Sequence, residues 1–293
     1  MNEASQQKRL NLERYIQQEV MAETSVKGIV AIGSVAKGTA RCDSDIDAFV
    51  FLEPFDQFAV PAECKWKPDE GTFHGIFSNV KEAIQLDFHR LDLKEWSNPL
   101  FIWPETVCAE LSEGWMAFDR HGDVQKLISE RTHFCNAIRQ TRLDDAIANL
   151  DWLLNDTTID RTWESLGVEI AHYRLHSAFE YLVQALFAYN YRWRTLKSRE
   201  MSDLLRLPWL PDGFEEHLLL AANALGVNQK GYQQRVSLLL QFFNEIVSRC
   251  QADGLYGDKP VYEAFRRLHD EPGRDWNMNE WSRQHCERKE SKP

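Results

Sequence analysis

Long apolar runs are missing from this sequence. The most apolar stretches, Ile46–Leu52 and Leu182–Ala188, fall far short of the ~20 residues that a membrane-spanning helix needs. No membrane association is therefore expected. Met1–Met21 is polar and charged, without the apolar core of an export signal. Cysteine is sparse, at six in 293 residues, and no two form a CxxC or CxxH pair. That excludes the usual ligand pairs of a structural zinc site and points to free thiols in a reducing cytoplasm. Internal repeats and low-complexity tracts are also lacking. Positive charge is in deficit, with 34 Lys and Arg against 45 Asp and Glu, a net charge of -11. The deficit is concentrated: residues 1–125 carry 12 basic and 21 acidic side chains, residues 126–293 carry 22 and 24. A field of that sign repels a phosphate backbone and disfavours a long nucleic acid as partner. It favours metal cations or a cationic small molecule.

What is present is ample core material, 43% hydrophobic and 12% aromatic, over a length that suggests two domains. Residues 2–23 carry Leu10, Leu12, Tyr15, Ile16 and Val20 at helical spacing, which predicts an amphipathic helix. Val26–Ile32 and Ile46–Leu52 read as buried strands, Phe73–Phe77 and Ala83–Leu91 as a third and fourth, and Trp115–Asp119 as an edge strand. From Asp123 to Leu268 the periodicity is helical, with breaks near Asn155–Asp160, Lys197, Leu207–Gly213, Gly226 and Gly254–Pro260. Asp270–Pro293 is polar and reads as a peripheral tail. The expected fold is α+β: a domain over residues 1–125 with a small mixed sheet and flanking helices, then an all-α domain over 126–293.

The segment Ile29–Leu52, IVAIGSVAKGTARCDSDIDAFVFL, concentrates the chemistry. Gly33 permits a tight turn and close approach of a ligand. Ser34 adds a hydroxyl and an N–H where a helix starts, a place suited to anions. Lys37 and Gly38 follow with a cation and a flexible joint. Asp45 and Asp47 are two apart at a strand start, so both carboxylates project from one face. Two such groups repel unless cations sit between them, and oxygen-only ligands beside phosphate suit Mg²⁺. A third carboxylate is expected on a neighbouring strand. Asp87 fits, on the face shared by Gln85 and His89; Asp92 and Glu82 fall at or beyond the strand ends. The plainer alternatives are a cap or a solvated strand entrance for Asp45 and Asp47, a turn serine for Ser34, and an exposed Asp87 paired with Arg90 or Lys81.

Gly33-Ser34, then Asp45-Ile46-Asp47, then a lone Asp87 on a later strand resembles the DNA polymerase beta-type nucleotidyltransferase superfamily. The small first domain followed by a helical one is similar to bacterial aminoglycoside nucleotidyltransferases. Ala185–Leu210 looks like the helical domain of an uncharacterised bacterial branch of that group. The resemblance implies transfer of a nucleoside monophosphate, AMP from ATP or the equivalent from another nucleoside triphosphate, to a hydroxyl of a small acceptor such as an aminoglycoside, with release of pyrophosphate. It implies two Mg²⁺ ions on Asp45, Asp47 and Asp87. Gly33, Ser34 and Lys37 would seat phosphates, and Lys197 would supply charge from the helical domain. A monomer or homodimer in the cytoplasm fits this reading. Two rivals stand beside it: a protein-modifying nucleotidyltransferase of the toxin–antitoxin kind, and a non-catalytic nucleotide-binding module.

In the helical part, Tyr189–Arg199 holds Arg192, Arg194, Lys197 and Arg199. It reads either as a cationic arm toward a triphosphate or as a solvated helix end complementing the helix dipole. Tyr189, Tyr191 and Trp193 would stack on a base or pack in a core. Glu169 and Glu180 are candidate acceptor-binding carboxylates or solvated helix residues. His172, His176 and Glu180, four apart, share a helical stripe, suited to a metal or, more ordinarily, to helix packing.

Overall fold

Buried apolar runs rich in β-branched residues build the first two strands of the N-terminal sheet, β1 (Val26–Ala31) and β2 (Ile46–Leu52). The computed structural model describes residues 1–68, 72–223, 226–269 and 285, so the polar tail from Asp270 lies outside the described residues apart from His285. Ahead of β1 runs α1 (Glu3–Tyr15), whose N-cap Asn2 accepts the Ser5 N–H, and which continues into a π-helical turn at Ile16–Val20. Between β1 and β2 lies the short α2 (Gly33–Lys37). The sheet is completed by β3 (Glu63–Lys67), β4 (Thr72–His74), β5 (Ile84–Asp92) and β6 (Trp115–Asp119). Three helices accompany them: α3 (Leu93–Trp96), α4 (Glu105–Ser112) and α5 (Asp123–Arg131).

The strand order is β4-β3-β5-β2-β1-β6. Only β2 and β5 pair in parallel; the other neighbours are antiparallel. The sheet is therefore mixed, as the sequence suggests. Two details differ. The strand expected at Phe73–Phe77 is Thr72–His74, followed by a turn that leaves Phe77 97% exposed. Its partner β3 was not expected: Cys64 and Trp66 alternate with Glu63, Lys65 and Lys67, but over five residues only, with Pro61 and Pro68 on either side.

Period-2 alternation sorts the strand residues onto two faces. Ile29, Ala31, Ile46, Ala48, Val50, Leu52, Leu86 and Phe88 pack with Leu12, Tyr15 and Ile16 of the N-terminal helical segment. Val30, Phe49 and Phe51 pack on the other face with Leu93, Trp96, Leu111, Val124 and Ile128 of α3–α5. Each buried Val, Leu, Ile or Phe among them contributes ~1.5–3 kcal/mol, so both faces are firmly tied down. Along the second face, polarity changes abruptly from Asp45 and Asp47 to buried Phe49 and Phe51.

The chain forms two compact units. The first comprises Met1–His133 with Trp193–Leu196; the second comprises Phe134–Arg192 with the rest of the chain from Lys197. The second unit is helical: α6 (Asn136–Leu154), α7 (Asp156–Leu166), α8 (Val168–Tyr189), α9 (Lys197–Leu204), α10 (Phe214–Ala222), α11 (Gln229–Ala252) and α12 (Pro260–Leu268). Leu150, Leu182, Leu186, Leu239 and Phe242 form the heart of its core. Buried Asp144 ties α6 to α12, accepting from Tyr256 at 2.7 Å and from Arg267 at 2.8 and 3.0 Å. Among the described residues, no helix is long and apolar enough to cross a membrane.

Candidate active site

Sheet register brings the three aspartates together. Asp47 is the second residue of β2, Asp45 immediately precedes that strand, and Asp87 lies within β5. In the parallel β2–β5 pair, Asp47 and Asp87 are direct register partners. All three side chains occupy one face and are half-buried, and a carboxylate oxygen from each lies within 4.8 Å of the others. Among the described residues, this is the one group of His, Cys, Asp or Glu side chains placed to share a metal ion.

The electrostatics agree. The Asp87 carboxyl is held above the ordinary carboxylate range, chiefly by burial, while the charges of Asp45 and Asp47 and a hydrogen bond with Asp45 push the same way. The Gln85 amide opposes the rise by donating to both Asp87 oxygens at 3.4 Å. Three mutually repelling carboxylates with hard oxygen donors form a ligand set suited to a divalent cation such as Mg²⁺. The donor chemistry therefore fits the metal that the sequence suggests.

Gly33 opens α2 at φ +61°, a left-handed conformation that a side chain would strain. The preceding Ile32 N–H donates to the Asp47 carbonyl at 2.9 Å, so the turn is fastened to the strand that carries the carboxylates. Ser34 follows, half-buried. Lys37, at the end of α2, is ion-paired with Glu113 at 3.1 Å. Lys197 begins α9 in the second unit, where its ammonium bonds Glu180 of α8 and buried Glu200, the latter at 2.9 Å.

The other sequence candidates lie elsewhere in the fold. Tyr189 is buried, its hydroxyl bonded to Asp253 and Arg249. Tyr191 bonds Asn136 and Arg139. Trp193 packs in the α3–α5 core and donates to the Thr132 carbonyl at 2.8 Å. His172 lies against the Trp163 and Tyr232 rings, its pKa lowered by burial and by Arg235. His176 and Glu169 are exposed. Two neighbours of Asp87 were given no role from the sequence. Gln85 was visible in the alternation of β5, whereas Glu63, the register partner of Asp87 on β3, required recognising that strand.

Residues 13–98 match the family model described as the nucleotidyltransferase domain. No curated protein matches the chain. Among solved structures, a nucleotidyltransferase-like protein from Exiguobacterium sibiricum is similar, at 15% identity over 92% of this chain and 84% of that one, with a TM-score of 0.44.

Proposed function

We propose that the protein, whose residues 13–98 match the nucleotidyltransferase domain, transfers a nucleoside monophosphate from a nucleoside triphosphate to a hydroxyl of a small cationic acceptor of the aminoglycoside kind. The observation that carries this reading is the approach of Asp45, Asp47 and Asp87 within 4.8 Å on one sheet face. These residues would hold Mg²⁺. When bound, the metal supplies neutralisation of triphosphate charge and a fixed orientation for it.

The chain's own groups do the rest. Gly33 leaves room at the turn for phosphate, and Ser34 offers its hydroxyl and N–H there. Asp87, whose carboxyl already has raised proton affinity, takes the proton of the acceptor hydroxyl. The acceptor oxygen forms a bond to the α-phosphorus, the bond between that phosphorus and the bridging oxygen breaks, and pyrophosphate leaves. The excess of acidic residues over 1–125 supports a cationic acceptor, since its field concentrates cations.

The test is incubation of the full chain with labelled nucleoside triphosphates, Mg²⁺ and a panel of aminoglycosides, followed by mass spectrometry. An acceptor heavier by one nucleoside monophosphate, with equimolar pyrophosphate, is expected. Transfer to a polypeptide in a cell extract and to no small molecule would move the acceptor to the protein class. No pyrophosphate release with any nucleotide or acceptor would overturn the reading.

A further inference from the structure

Helix α1 carries polar residues where its core-facing stripe calls for apolar ones. Leu12 and Tyr15 on that stripe are buried in the sheet core, yet Ser5 is equally buried and Lys8 and Arg9 are half-buried. Spacings of three and four place all five on one face of the helix. Their partners explain the pattern. The Ser5 hydroxyl accepts the Ala40 N–H at 2.9 Å. Lys8 donates to the Ser44 carbonyl, and Arg9 donates to the Val35 and Ala36 carbonyls at 3.3 and 2.7 Å. Asn2, the N-cap, adds its backbone N–H to the Gly38 carbonyl at 3.1 Å and its amide to the Ala40 carbonyl at 2.9 Å. The approach is close: a Cβ at Gly38 would meet the Met1 backbone at 2.9 Å.

These bonds all converge on the segment from α2 to the start of β2, which ends on Asp45. The loop within it, Gly38–Ser44, is outside the sheet ladder, so beside a few local backbone bonds its backbone is tied down by the side chains of α1. Residues 1–12 also precede the part that matches the family model.

We propose that Lys8 is a positioning residue of the carboxylate cluster: by holding the carbonyl of Ser44, with Ser5 fixing Ala40, it aims Asp45 and its neighbour Asp47 at a shared divalent cation. The proposal rests on the metal reading of the three aspartates. Its sign separates it from a plain charge effect. A cation removed from beside a metal site should tighten metal binding by relieving repulsion. Loss of a group that orients a ligand should weaken it, by ~10-fold or more.

The experiment measures Mn²⁺ affinity of the full chain by electron paramagnetic resonance or calorimetry at constant pH, with melting temperature recorded in parallel. Lys8→Met is expected to weaken Mn²⁺ binding by ~10-fold, and Lys8→Arg, which keeps a cationic donor, to restore it to within ~3-fold. Ser5→Ala is the second variant, with a loss in the same direction, and stands in should Lys8→Met fail to fold. Unchanged or tighter binding in the folded variants overturns the positioning role, even where melting falls. Asp47→Asn is the control. If it binds Mn²⁺ like the wild type, the metal reading itself fails and the proposal falls with it.

Discussion

Replacing Asp87 with asparagine should make the metal-free protein more stable and the metal-loaded protein less so. The carboxylates of Asp45, Asp47 and Asp87 approach within 4.8 Å. At that distance a like-charge pair costs about 0.9 kcal/mol in bulk water and about 3.5 kcal/mol at an effective dielectric constant of ~20. The site is half-buried, so relief of about 1–2 kcal/mol is expected, equivalent to ~3–6 °C in melting temperature. The sign with pH follows from the raised Asp87 carboxyl. Folding favours its protonated form, so the associated stability is complete at acid pH and lost as pH rises through the raised value. The advantage of the Asp87→Asn variant in EDTA should therefore be largest near neutrality and shrink as pH falls into the carboxylate range. Divalent metal reverses the order. At a concentration ~100 times its Kd, the wild type gains about 2.7 kcal/mol, and the variant, lacking a ligand, gains much less. Differential scanning fluorimetry of both chains from pH 4 to 8, with EDTA and with Mn²⁺, reads every arm. A variant that melts below the wild type in EDTA at neutral pH, or gains as much from Mn²⁺, refutes the reasoning.

Asp45→Asn and Asp47→Asn should each abolish transfer while circular dichroism stays native; full turnover by Asp47→Asn at saturating Mg²⁺ would remove it from the site. Asp87→Ala should lower kcat by ~10²–10⁴ with nucleotide affinity, measured by fluorescence titration, largely retained. Asp92→Ala should leave turnover intact, because Asp92 serves instead as the N-cap of α3, accepting the Lys94 N–H at 3.0 Å, and its loss costs ~1 kcal/mol. In the second unit, Asp144→Ala strands the Tyr256 hydroxyl and Arg267 that it now satisfies. A loss of about 3 kcal/mol is expected by urea denaturation; a loss under ~1 kcal/mol, the net worth of one ordinary hydrogen bond, would show that α12 is held by packing alone.

Much of the N-terminal unit was legible because its strands are strongly patterned. β1, β2, β5 and β6 each carry enough alternation or β-branched content to be read directly, and Asp-Ile-Asp at the mouth of β2 is conspicuous for placing two charges before five core residues. β3 was not legible, since its alternation spans only five residues, two of them apolar, between Pro61 and Pro68, too short a period to stand out. The short α3 and α4 escaped for a similar reason, having too few turns to show one. In the helical half, α7 resumes one residue after Asn155, and the break that separates it from α8 falls at Gly167, where φ is +89°. A single left-handed glycine leaves no composition shift to read. Lys197 illustrates a different limit: the sequence shows a cation, whereas its pairing with Glu180 and Glu200 depends on how α8 and α9 meet.

The site itself depends on one tertiary fact that spacing alone does not contain, the parallel register of β2 and β5. A shift of one residue would turn Asp87 to the opposite face, among Leu86 and Phe88. That register is enforced by the apolar residues on both faces, which would all be misplaced by a slip. Ala48, Val50, Leu86 and Phe88 must face α1, while Phe49 and Phe51 must face α3–α5. The two cores thus hold in place an arrangement that is electrostatically unfavourable by itself. Three carboxylates repel one another at one end of a rigid sheet, and they stay there because every alternative pairing would expose aromatic and branched side chains. A site organised this way is preorganised for a cation before one arrives.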